Sequence, residues 1–254
     1  MKGVILAAGT ASRLRPLTQS TPKCLLPIGG ATILGGTLRN LSGAGINDVV
    51  VVTGFEAAKI KAFIAAEFPG LRVAFVHNDV YASTNNIYSL WLAAEHVIRE
   101  GMILLDSDII FDRRIIPALL ASGRADCLAV DTKAELGEEE IKVSADGRGR
   151  ILAIGKEVSS KAAMGESIGI EVFSPGALAP LFSVIERKVL AENNVNQFYE
   201  AAFQEIIDRG ARIYAVDVGA YRAIEIDTLE DIRKAERDVV PFLAGSGADD
   251  TGRG

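Results

Sequence analysis

The chain has 254 residues, is 49% hydrophobic and carries a net charge of -6. That is enough for a sizeable core in one large domain or two small ones. The acidic balance argues against a nucleic-acid surface, and no run reaches the roughly 18 apolar residues of a membrane span.

Cysteine and histidine are scarce. Cys24 and Cys127 are the only cysteines, and His77 and His96 the only histidines. No Cys-x-x-Cys or His-x-x-x-His spacing occurs, which argues against zinc. Two distant cysteines and an apolar start too short for a secretory leader predict reduced thiols in a cytoplasmic protein.

Taken in chain order, the first half alternates strand-like apolar runs with helical patterns. Strands are predicted at 4–6, 49–53, 73–76 and 102–105, and helices near 32–44, 56–68 and 86–99. Within the last of these, Leu90, Leu92 and Val97 fall at core-facing spacing. Strand–helix alternation implies a mostly parallel sheet with ligands at the strands' carboxyl ends. Residues 126–173 read differently, as strands at 127–131, 141–144, 151–154 and 167–173 with charged turns between them. Asp146-Gly147-Arg148-Gly149 is a hairpin-like turn. Helices are predicted at 175–190 and 196–209, the second stopped by Gly210. Strands come next at 213–218 and 223–226, then an amphipathic helix from 229 to about 243.

The expected architecture is α/β: a Rossmann-like, mostly parallel sheet flanked by helices, with a small β-rich substrate lobe. A single domain is expected over 1–243, its nucleotide half near 1–125 and its acceptor half near 126–235. The Gly- and Asp-rich tail, 244–254, is expected to be disordered. The sequence allows a homodimer without specifying one.

Chemistry concentrates at the start of the chain. The apolar strand runs into Ala7-Ala8-Gly9-Thr10-Ala11-Ser12, a loop of small residues. Such a loop lets backbone N–H groups approach an anion closely. Arg13, Arg15 and Lys23 add counter-charge, so the segment reads as a polyphosphate site. It fits neither the G-x-G-x-x-G dinucleotide pattern nor the G-x-x-x-x-G-K-[ST] P-loop.

Two acidic motifs end predicted strands: Leu104-Leu105-Asp106-Ser107-Asp108 and Glu225-Ile226-Asp227. Carboxylates at the rim of a parallel sheet suit Mg²⁺ held together with a substrate phosphate. Strand-end Asp also serves turns and caps, which is the plainer reading of either motif alone. Between a predicted strand and helix, Asn78-Asp79-Val80-Tyr81-Ala82-Ser83-Thr84-Asn85-Asn86 carries amides that donate and accept, matching the edge of a pyrimidine such as cytosine. A helix cap explains the same asparagines.

The segment Leu6–Lys23 resembles the L-A-A-G-x-G-x-R-L-x-P-L-T-x-x-x-P-K signature of nucleotide-sugar-type nucleotidyltransferases, with Ala11 where that family carries glycine. Asn85-Asn86-Ile87-Tyr88-Ser89-Leu90 and Glu225-Ile226-Asp227 resemble the bacterial choline-phosphate and 2-aminoethylphosphonate cytidylyltransferase branch. The resemblance implies a GT-A-like fold and a cytidylyltransferase that moves CMP from CTP to a small phosphate or phosphonate acceptor. It implies Mg²⁺ on Asp108 and Asp227, with Asp106 in support at the nucleotide. Arg13 and Lys23 would hold the triphosphate, and Lys156 the acceptor phosphate. Leu6, Ala7, Ala8, Gly9, Asn78, Thr84, Asn85 and Ser89 would line the nucleotide. A zwitterionic acceptor needs carboxylates or aromatic faces at its cationic end, for which Glu166, Tyr199, Glu200 and Glu225 are the candidates. The alternatives are a sugar-1-phosphate uridylyl- or thymidylyltransferase and a non-catalytic nucleotide-binding module.

Overall fold

Strand β1 (Lys2–Ala7) sends Val4 and Leu6 into one core and Ile5 and Ala7 into the other. Successive strand residues face opposite sides of a sheet, so this strand is covered on both faces. The computed structural model describes residues 1–245. The tail expected over 244–254 lies outside the described residues beyond Gly245.

After a small hairpin of β2 (Pro27–Ile28) and β3 (Ala31–Thr32) come α1 (Ile33–Gly43), β4 (Asp48–Thr53), α2 (Ala57–Glu67) and β5 (Arg72–His77). Next are α3 (Asn86–Leu92), α4 (Ala94–Val97), β6 (Met102–Asp106), β7 (Ile109–Phe111) and α5 (Ile115–Ala121). The second half holds β8 (Cys127–Asp131), β9 (Lys142–Ala145), β10 (Ile151–Gly155), β11 (Gly165–Phe173), α6 (Pro175–Glu186) and α7 (Glu200–Asp208). It ends with β12 (Tyr214–Asp217), β13 (Ala223–Glu225), α8 (Leu229–Lys234) and α9 (Val240–Gly245).

The main sheet runs β10-β9-β11-β6-β1-β4-β5, with β8 pairing both β11 and β12. Strands β6, β1, β4 and β5 are parallel, which puts their carboxyl ends on one rim. The β-rich second half continues the same sheet, because β11 pairs antiparallel with β6. Helices cover both faces. Leu34, Leu38, Leu41, Ile60 and Ile64 lie on one side, and Ile87, Leu90, Phe173, Leu181 and Phe203 on the other. Leu90 and Val97 are fully buried as predicted, and Leu92 is half-buried. A third cluster joins Leu14, Leu26, Ile28 and Ile33 to Ile226 and Ala235, so the first loop packs on the C-terminal helices. Among the described residues, no helix is long and apolar enough to cross a membrane.

The structure departs from the predicted elements in several places, and the helix expected over 86–99 is split into α3 and α4 at Ala93. The helix expected from 196 starts at Glu200. Upstream, the backbone is held by tertiary bonds: Tyr199 N–H donates to Asn86 Oδ1 at 2.9 Å and Asn85 N–H to Val195 O at 2.9 Å. The helices expected at 175–190 and 229–243 each pass through one π-helical segment, Arg187–Ala191 and Ala235–Val239. Strand β7 and helix α5 add to the predicted set, since three- and seven-residue elements give little periodicity to read.

Candidate active site

The first loop is built to stay open. Phe55 N–H donates to Ala8 O at 3.1 Å, and a Cβ on Gly54 would sit 2.7 Å from that same oxygen. Only glycine allows this approach. Ala11 adopts the left-handed conformation, φ 46 and ψ 52, at a cost of about 1–2 kcal/mol for a non-glycine residue. Thr18 Oγ1 holds that turn by donating to Ala11 O at 2.7 Å. Leu14, fully buried, anchors the short helical turn beyond Ala11, and burying a leucine contributes about 1.5–3 kcal/mol.

Anchored this way, the loop carries Arg13 and Lys23 to the strand rim. Lys23 Nζ lies 2.7 Å from Asp108 Oδ2 and 2.7 Å from Asp227 Oδ1. Arg13 Nη2 lies 2.6 Å from Asp227 Oδ2. Burial opposes the Lys23 ammonium, but Asp108 and Asp227 outweigh it and raise its pKa. Burial likewise opposes the Asp227 carboxylate, and Lys23 and Arg13 reverse the sign and lower its pKa.

Asp108 sits in the β6–β7 turn, and Glu225 closes β13. Pairing of β13 with β7 aligns Glu225 with Ile109, and Ile226 N–H donates to Asp108 O at 3.0 Å. Asp108, Glu225 and Asp227 thereby bring one carboxylate oxygen each within 4.8 Å of one another. Burial, then Asp108 and Asp227, push the Glu225 carboxyl up to about 8. Asp108 Oδ1 is buried and has no hydrogen-bond partner. An all-oxygen set with an orphaned buried oxygen suits a hard divalent cation such as Mg²⁺. Burial pushes the Cys24 thiol up to about 12, so this neighbour of Lys23 stays protonated and unreactive.

These groups line one cavity of about 970 Å³, which reaches into the second half of the chain. There, Lys156 Nζ pairs with Glu139 Oε2 at 2.7 Å and stands 5.2 Å from the centre of the Phe198 ring. Glu166 faces Glu140 and Asp131, and burial first, then those acids, push its carboxyl up to about 7.

Residues 3–171 match the model of the MobA-like NTP transferase domain. The chain belongs to this family. It is 32% identical over 148 residues to CMP-5'-(3-aminopropyl)phosphonate synthase of Streptomyces rubellomurinus, covering 58% of this chain and 23% of that protein. It is 37% identical over 107 residues to choline-phosphate cytidylyltransferase of Streptococcus pneumoniae, covering 42% of this chain and 45% of that one. The chain thus aligns with less than half the length of either relative. The solved CTP:phosphocholine cytidylyltransferase of Streptococcus pneumoniae superposes with a TM-score of 0.74 at 24% identity, over 92% of this chain and 97% of that one, which supports the fold.

In this chain most of the site residues expected from sequence converge on the cavity. Leu6, Ala7, Ala8, Gly9, Arg13, Lys23, Asp106, Asp108, Lys156, Glu166, Glu200, Glu225 and Asp227 all line it, as do Asn78, Thr84, Asn85 and Ser89. Asn78 has little capacity left for a ligand. It is buried, donates to Thr84 Oγ1 at 3.1 Å and Ser89 Oγ at 3.2 Å, and accepts from Val80 N–H at 3.0 Å. Its place is to shape the loop. Asn85 does cap α3, its side chain accepting from Asn86 N–H at 2.8 Å.

Tyr199 corrects an expectation. Expected at the acceptor, it is fully buried and does not line the cavity. Its hydroxyl donates to Asp106 Oδ2 at 2.9 Å from below. A tyrosine at the mouth of an amphipathic helix packs inward when its hydroxyl finds a buried acceptor. Tyr81, Lys133, Phe198 and Lys234 also line the cavity, and the two lysines were not expected there. Tyr81 lies inside the asparagine-rich segment and is readable as an aromatic there; Lys133 and Lys234 carry no motif.

Proposed function

We propose that this chain transfers CMP from CTP to a small phosphate or phosphonate acceptor, phosphocholine or 2-aminoethylphosphonate, and releases pyrophosphate. One observation carries the reading: Lys23 bridges Asp108 and Asp227 at 2.7 Å each, with Arg13 on Asp227 at 2.6 Å. Polyphosphate-binding cations and metal-binding carboxylates share one cluster. The relatives named for aminopropylphosphonate and phosphocholine support CTP as donor and a charged, amine-bearing acceptor.

The acceptor already carries an anionic oxygen at neutral pH, so no general base is needed. That oxygen forms a bond to the α-phosphorus in line. The bond from the α-phosphorus to the bridging oxygen breaks, and pyrophosphate leaves with that electron pair. The barrier is repulsion between anions, which positioning and fixed cations lower. Lys23 exchanges Asp108 and Asp227 for the α-phosphate and the entering oxygen. Arg13 exchanges Asp227 for the β- and γ-phosphates. Lys156 leaves Glu139 for the acceptor's phosphate or phosphonate.

Asp108 and Asp227 would hold Mg²⁺, with Glu225 beside them. When bound, the ion neutralises charge at the α-phosphate and the incoming anion. The amides around Ala8 and Gly9 receive the triphosphate, and Thr84, Asn85 and Ser89 face the base. Glu200 meets the acceptor's cationic end, Glu166 and Glu225 add negative charge around it, and the lining of the cavity carries eleven acids against five lysines and arginines.

The test is pyrophosphate release with CTP, UTP, dTTP and ATP side by side, each with Mg²⁺ and 2-aminoethylphosphonate or phosphocholine. Turnover with CTP at least about tenfold above the others is expected, the ratio of one lost base-edge hydrogen bond. Preference for UTP or dTTP would sink the cytidylyl reading.

A further inference from the structure

One part of the cavity gathers carboxyl groups. Asp106 and Glu200 reach it from the end of β6 and the start of α7. Beneath them, Glu171 on β11 is 1% exposed and lines no part of the cavity. The Tyr199 hydroxyl lies 2.9 Å from Asp106 Oδ2 and 3.4 Å from Glu171 Oε1. One hydroxyl carries one proton, so it serves one of these carboxyls at a time. Glu171 Oε2 and Glu200 Oε2 are both buried with no hydrogen-bond partner. Each such oxygen is costly unless something donates to it. Gly169 packs closely on Asp106, since a Cβ there would come within 2.8 Å of Asp106 Oδ2.

We propose that Asp106, Glu171, Tyr199 and Glu200 form a unit that selects acceptors ending in a primary ammonium over those ending in a trimethylammonium. This rests on the transfer reading above. A primary ammonium brings a charge and three N–H donors to carboxyl oxygens that have no partner, whereas a trimethylammonium brings no N–H donor. The trimethyl group needs aromatic faces instead. Of the two rings that line the cavity, Tyr81 stands in the asparagine-rich segment of the first half and Phe198 already lies under Lys156 Nζ at 5.2 Å, while Tyr199 is sealed in the core. The ammonium sits between Asp106 and Glu200. Glu171 is a positioning residue: it shares the Tyr199 hydroxyl and so leaves Asp106 with acceptor capacity facing the ligand. Burial, reinforced by Asp106 and Glu200, holds the Glu171 carboxyl well above its ordinary range.

The experiment is calorimetric titration of the full chain, with Mg²⁺ and a non-hydrolysable CTP analogue, using 2-aminoethylphosphonate and its N,N,N-trimethyl analogue. Wild type should bind the primary amine at least about tenfold tighter, the size of one lost charge-assisted hydrogen bond. Glu200→Gln and Glu171→Gln should each cut that ratio to below about threefold, with affinity for the CTP analogue as the control for folding. Equal or tighter binding of the trimethyl compound, no binding of either, or an unchanged ratio in both variants overturns the proposal. Efficient CMP transfer to the trimethyl compound would sink this selectivity and leave the transfer reading standing. A kept amine preference without pyrophosphate release would do the reverse.

Discussion

The backbone N–H of Ile226 donates to the carbonyl of Asp108 at 3.0 Å, across 118 positions of sequence. This bond, with the β13–β7 pairing, fixes the distance between the carboxylates of Asp108 and Asp227. Two acids held this close repel unless a cation sits between them. Lys23 is the cation that sits between them here.

A divalent ion should therefore stabilise the fold. Mg²⁺ at about a hundred times its dissociation constant is expected to add about 2.7 kcal/mol to unfolding stability. Asp108→Asn and Asp227→Asn should each lose most of that increment. Thermal melts with Mg²⁺ and with chelator check it; an equal rise in both variants would contradict the site.

Arg13 and Lys23 should separate function from stability. The Arg13 side chain is 68% exposed, so its pair with Asp227 contributes about 1 kcal/mol or less. Arg13→Ala is expected to leave urea unfolding nearly unchanged while kcat/KM for CTP falls by about 10²–10³. Lys23, 13% exposed, bridges two carboxylates. Lys23→Ala should lose comparable activity and also about 3 kcal/mol of stability, because it leaves those charges unpaired.

Glu200 predicts a pH dependence. Burial pushes its carboxyl up to about 7, from about 4.5 in the unfolded chain. Its contribution is fully present below pH 4.5 and is lost as pH rises through 7. Removing the charge should then help at high pH alone. Glu200→Gln is expected to raise stability at about pH 8 by of order 3 kcal/mol and to do little at about pH 4. Denaturant midpoints at the two pH values measure this, and a uniform offset would contradict it.

Ala11 tests the strained turn. Ala11→Gly removes the left-handed penalty but loosens the unfolded chain, and the two effects oppose at about 1 kcal/mol each. The expected net change is below about 1 kcal/mol, with activity kept. Ala11→Val puts a branched side chain at φ 46 and should cost about 1–3 kcal/mol and raise KM for CTP. Unchanged KM in the valine variant would mean that the turn does not shape the nucleotide loop.

Local features are readable in the sequence and distant pairings are not. The loop from Leu6 to Lys23 is contiguous, and its small residues, cations and flanking strand all signal in one window. The alternation of 2–7, 33–43, 48–53, 57–67 and 72–77 is likewise visible, because the strands at 2–7 and 48–53 are buried apolar runs and the edge strand at 72–77 keeps an apolar centre. That Glu225 joins Asp108 and Asp227 depends on β13 meeting β7, a pairing that no local pattern encodes. Tyr199 resembles a ligand contact in sequence because its position on the helix gives no hint that Asp106 and Glu171 lie against its hydroxyl. Asn78 matches a base-reading amide in type, but its neighbours consume its hydrogen bonds.

The most direct test is phosphorus NMR of a reaction containing the full chain, CTP, Mg²⁺ and 2-aminoethylphosphonate. Cytidylyl transfer predicts pyrophosphate and a CMP-phosphonate anhydride appearing in equal amounts, and neither product with Asp108→Asn. Intact CTP with every amine-bearing acceptor, or products only from a sugar 1-phosphate with UTP or dTTP, would contradict it.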